Sequence, residues 1–86
     1  MIRLTLWQVD RNAEIIDFNR RHNIGLHHLA LEVKTEDELN VLYQKIKNLP
    51  GVKIEFSPEL VGAGPRKHMM CCEPGGIRIE FIWQGV

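Results

Sequence analysis

The sequence predicts an α+β domain, one helix packed on a sheet, from three observations. Four short segments alternate apolar and polar side chains with the period of two that a half-buried strand requires, and a fifth, residues 66–72, also reads as a strand. One segment, residues 35–49, instead repeats Leu39, Leu42, Ile46 and Leu49 at helical spacing and opens on a capping signal. Gly- and Pro-bearing breaks separate these segments, so the expected order is strand, connector, strand, helix and three further strands.

Residues 2–9 set Ile2, Leu4 and Leu6 against Arg3, Thr5 and Trp7, the pattern of a strand with one wet face. Asp10-Arg11-Asn12 interrupts it. Ile15, Ile16 and Phe18 within residues 13–21 then fit one or two helical turns, so this stretch is expected to be a connector. In residues 26–33, Leu29, Leu31 and Val33 share a face with His27, whereas His28 shares the other with Ala30 and Glu32.

Thr35-Glu36-Asp37-Glu38 supplies a hydroxyl able to accept from the amide three residues on, a Glu able to reach back, and acids where the helix dipole is positive. The helix is expected to run to Asn48-Leu49-Pro50-Gly51, where Pro and Gly stop it. Val52, Ile54 and Phe56 alternate with Lys53, Glu55 and Ser57, and Pro58 is expected to close that strand. Residues 61–65 read as a glycine-bearing loop and residues 66–72 as a strand with small and sulfur-bearing side chains on both faces. After the turn Glu73-Pro74-Gly75-Gly76, the last strand puts Ile77, Ile79, Phe81 and Trp83 on one face and Arg78, Glu80 and Ile82 on the other.

A domain of 86 residues leaves much of its surface exposed unless it pairs, so a homodimer or higher homo-oligomer is expected. The 11 Lys and Arg balance 11 Asp and Glu and are scattered along the chain, so no nucleic-acid partner is expected. The apolar runs are too short for a membrane span and no basic-then-apolar leader opens the chain, which makes the cytoplasm the expected location and a membrane an unexpected partner. Cys71 and Cys72 are neighbours, too close for an ordinary disulfide, and no Cys-x-x-Cys spacing offers a structural zinc site.

On one sheet, His28 and Glu80 would both sit on the face the helix does not cover. An imidazole with a carboxylate suits a divalent Zn, Ni, Co, Mn or Fe ion, and Glu80 is the candidate catalytic base. Two ligands hold a metal weakly, so the others are expected from a second copy of the same sheet. His27 reads as structural, Glu32 as an exposed charge, and His68, Met69 and Met70 as packing that could wall a pocket.

Gly25-Leu26-His27-His28-Leu29-Ala30-Leu31-Glu32-Val33, the helix of residues 35–49 and Glu73-Pro74-Gly75-Gly76-Ile77-Arg78-Ile79-Glu80-Phe81 together resemble the βαβββ module of the glyoxalase, bleomycin-resistance and dioxygenase superfamily, also called the vicinal-oxygen-chelate superfamily. Within it, the His-His strand, Val61-Gly62-Ala63-Gly64 and the C-terminal Glu are similar to the methylmalonyl-coenzyme A epimerase pattern. The resemblance places His28 and Glu80 on metal-ligand positions. It implies that residues 25–86 form the module, and that residues 1–24 are the remnant of a preceding one, with Thr5 near the place where that module offers a Glu or Gln.

The implied function is that of a divalent-metal-dependent isomerase, lyase or epimerase acting on a small molecule with adjacent oxygens. Metal-free binding of a small ligand, as in bleomycin-resistance members, and a catalytically inactive dimerising module are the alternatives.

Overall fold

The structure, a computed structural model, describes residues 2–86; Met1, the first residue of the expected N-terminal unit, lies outside them. Its elements are β1 (Leu29–Val33), α1 (Glu36–Ile46), β2 (Lys53–Leu60), β3 (Lys67–Cys72) and β4 (Arg78–Trp83). The strands form one sheet in the order β1-β4-β3-β2. β1 runs parallel to β4, and the β4/β3 and β3/β2 pairs are antiparallel. This is the expected α+β architecture.

The helix begins as its sequence dictates. Thr35 Oγ1 accepts from the Glu38 amide at 3.0 Å, and Glu38 Oε2 accepts in return from the Lys34 amide at 2.9 Å. It ends at Ile46, earlier than the apolar spacing implies, and Leu49 is left half exposed in the following turn. Pro50 accounts for this, because a residue preceding proline is pushed out of the helical region.

α1 covers one face of the sheet. Leu39 and Ile46 bury against Met69 and Cys71 of β3, and Val33, Ile54, Ile79, Phe81 and Trp83 pack around them. Leu39 and Met69 are fully shielded from water, and each such side chain contributes about 1.5–3 kcal/mol by burial. The opposite face carries Ala30, Glu32, His68, Met70, Cys72, Arg78, Glu80 and Ile82, the assignment that alternation predicts for β1 and β4. Between β3 and β4, Gly76 takes φ 95° to close the turn, a conformation open to glycine and strained for other residues.

Two expectations for β2 are corrected. The strand continues through Pro58 to Leu60, which the ladder tolerates because β2 is the edge strand. Its register also shifts: Ile54 pairs with Cys71, but Phe56 pairs with Met70. One extra residue, Glu55, lies between those pairs, so Phe56 turns to the open face while Val52 and Ile54 stay on the helix side.

The larger correction is N-terminal. Residues 2–9 form no strand and residues 13–21 no helix; local turns link Asp10 to Ala13 and Asn19 to His22 and Asn23. Ile2, Leu4, Leu6, Trp7, Ile15 and Ile16 are all exposed. A strand needs a neighbour to take its backbone hydrogen bonds, and none of the described residues pairs with this segment.

Candidate metal and catalytic site

The open face of the sheet gathers a line of polar side chains. Parallel pairing sets Ala30 beside Glu80, and His28 precedes β1 by one residue, on the same side as Ala30. His28 Nε2 lies 3.2 Å from Glu80 Oε1, joining two groups 52 residues apart in sequence. The other carboxylate oxygen, Oε2, lies 2.5 Å from His68 Nδ1. Glu80 is largely sheltered, with 14% of its side chain exposed.

A second set of contacts fixes His28 from behind. Arg78 donates from Nε and Nη2 to Glu55 Oε2, at 3.1 and 2.8 Å, and from Nη1 to the His27 carbonyl at 3.2 Å. The same Nη1 lies 3.1 Å from His27 Nδ1, which is 2.8 Å from His28 Nδ1. A guanidinium only donates, so the Arg78 contact favours an accepting Nδ1 on His27 and, with it, a proton on His28 Nδ1. His27 is held below the ordinary histidine pKa, first by partial loss of hydration and then by the charges of Arg78, His28 and Arg20, which outweigh Glu55. That favours the neutral, accepting ring.

The consequence falls on Nε2 of His28. When the ring is neutral with its proton on Nδ1, the Nε2 lone pair points at a carboxylate oxygen, and two lone pairs repel unless a proton or cation lies between them. Neighbouring ligands each about 2.0–2.1 Å from one ion sit roughly 3 Å apart, close to the spacing here. The donor set, its geometry and the hydrogen-bonded far nitrogen of His28 therefore fit a divalent ion. Among the described residues no group of three or more His, Cys, Asp or Glu is arranged to hold a metal.

The sequence puts His28 and Glu80 on one face, and the structure places them 3.2 Å apart; it also sets His27, expected to be structural, against His28, and His68, expected to be packing, against Glu80. The signal for His68 was present in the turn. Once Cys72 pairs with Arg78 across Glu73-Pro74-Gly75-Gly76, Met70 must face Glu80 and His68 must be its diagonal neighbour on the same face. Glu32 is exposed and takes no part in this network, as expected; Thr5 is exposed as well. Cys71 is buried in the core, where burial chiefly, and Cys72 secondarily, pushes its thiol pKa up.

The family model for the Glyoxalase/Bleomycin resistance protein/Dioxygenase superfamily matches residues 3–81. The chain belongs to this superfamily. No curated protein matches it. The match takes in the whole sheet up to Phe81 and most of the N-terminal segment, so both parts of this glyoxalase-superfamily chain contribute to it. No helix among the described residues is long and apolar enough to cross a membrane.

Proposed function

We propose that this chain is a subunit of a divalent-metal-dependent isomerase, lyase or epimerase, a homodimer in which two open sheet faces complete one site. The observation that carries this reading is the approach of His28 Nε2 to Glu80 Oε1 at 3.2 Å on the uncovered face, with the other ring nitrogen of His28 in contact with His27 at 2.8 Å. His28 and Glu80 would hold the ion, and their counterparts in a second copy would raise two ligands to four. Bound there, a divalent ion supplies Lewis acidity to two adjacent oxygens of a small substrate. Residues 1–24 are, on this reading, the remnant of a preceding module.

The side chains divide the remaining work. Glu80 is sheltered, and its Oε1 is directed toward His28 while Oε2 is engaged by His68, so the carboxylate acts from Oε1. A two-fold assembly supplies two such carboxylates, enough for one to hold charge while the other accepts a proton from carbon. Ile82 and Met70 flank Glu80 on the same face and limit its contact with water.

Metal analysis of the purified protein tests the proposal. Stoichiometric Zn, Ni, Co, Mn or Fe, lost in His28→Ala and in Glu80→Ala, is the expected result, with a particle mass of two chains. Metal-free protein that takes up none of these ions, or a strict monomer, would sink it.

One observation favours the metal-free alternative, binding of a small ligand. A cleft of about 690 Å³ opens between Phe18–Arg21 and the sheet end, lined by His27, Lys53 and Arg78 among others. A small ligand retained by metal-free protein, with Lys53→Ala and Arg21→Ala releasing it, would support that reading.

A further inference from the structure

We infer that His68 is a positioning residue for Glu80: its Nδ1–H holds Oε2 so that Oε1 is presented toward His28. This rests on the metal reading above and assigns a part of the site that lies on a third strand. An ionised carboxylate can only accept, so the 2.5 Å contact places the His68 proton on Nδ1. That bond fixes one oxygen of a side chain that otherwise rotates freely about its terminal torsions.

The ring of His68 is itself packed on one side. Phe56 lies against it at a centroid distance of 4.7 Å, tilted 52°, while Glu59 Oε1, 4.0 Å from its Nε2, is beyond hydrogen-bond reach. Phe56 reaches this place because the extra residue at Glu55 turns it to the open face. Without that bulge the aromatic ring would point at the helix. The register irregularity of β2, His68 on β3 and Glu80 on β4 thus form one chain of support ending at the ligand oxygen.

His68 is not a third ligand in this arrangement. Its Nδ1 is committed to Oε2, whereas His28 addresses Oε1, and its Nε2 faces Glu59 near the sheet edge. Partners that orient a ligating group in this way typically change metal affinity 10- to 100-fold when removed.

Zinc affinity of the full chain, measured by competition with a chromophoric chelator, tests the inference. His68→Ala is expected to weaken binding roughly 10- to 100-fold. In His68→Asn the amide nitrogen falls near the lost Nδ1 and should restore most of the affinity. In His68→Gln it falls near Nε2 and should not. Nitrogen-resolved NMR of zinc-free protein should find His68 in the Nδ1–H tautomer, shifting toward a mixture in Glu80→Ala.

Equal affinities for wild type, His68→Asn and His68→Gln, with zinc bound, would overturn this inference and leave the metal reading standing. So would an Nε2–H tautomer for His68 in the wild type. Failure of the wild type to bind any of the candidate metals would overturn both together.

Discussion

Residues 2–9 and β4 are written in the same pattern and end in opposite states. Both alternate large apolar with polar side chains, yet Ile79, Phe81 and Trp83 pack beneath α1 while Leu4, Leu6 and Trp7 stand exposed. β4 lies between β1 and β3 and finds backbone partners on both sides; the N-terminal segment has none among the described residues. Alternation states which face of a strand would be buried. Whether there is a strand at all depends on a neighbour.

The comparison breaks most readily at the core. Leu39→Ala, which empties a fully buried position, should lower unfolding free energy by about 2–5 kcal/mol. Trp7→Ala, although it removes a larger side chain, should change it by no more than about 0.5 kcal/mol in dilute protein. Urea denaturation of both variants reads the difference directly. A Trp7→Ala cost comparable to that of Leu39→Ala would mean that residues 2–9 are buried in solution.

A smaller effect sharpens where such burial would come from. If a second copy covers the exposed face of residues 2–9, the double variant Leu4→Asp with Leu6→Asp should raise the dimer dissociation constant about tenfold or more, since burying one leucine is worth about 1.5–3 kcal/mol. Sedimentation across a concentration series measures it. An unchanged constant would show that Leu4 and Leu6 lie outside any contact between copies.

Legibility in the sequence follows the same division. The faces of β1 and β4 are local properties, so the placement of His28 and Glu80 on one side of the sheet could be read residue by residue. Phe56 could not, because a bulge is a mismatch between two strands and leaves no mark in the alternation of either one alone. His68 lies between these cases. Its contact with Glu80 follows from hairpin arithmetic, but only after the pairing across the β3/β4 turn is taken as given. The tautomer of His28 was the least accessible, since it depends on Arg78 reaching back to the residue before it.

That last dependence supplies the smallest and most discriminating effect. His27 loses affinity for a proton on folding, so the native state binds fewer protons than the unfolded chain between the lowered value and the ordinary histidine value of about 6.5. The contribution to stability is therefore complete above about pH 6.5 and is lost as pH falls through the lowered value. An NMR titration should give His27 a midpoint below that of an exposed histidine. Arg78→Gln should raise the midpoint without restoring it fully, because loss of hydration is the first cause and the guanidinium charge the second. A midpoint above neutrality in the wild type would mean that His27 is charged and donating at neutral pH. His28 would then have to accept on Nδ1 and carry its proton on Nε2, where it would simply hydrogen-bond to Glu80 and remove the need for a cation between them.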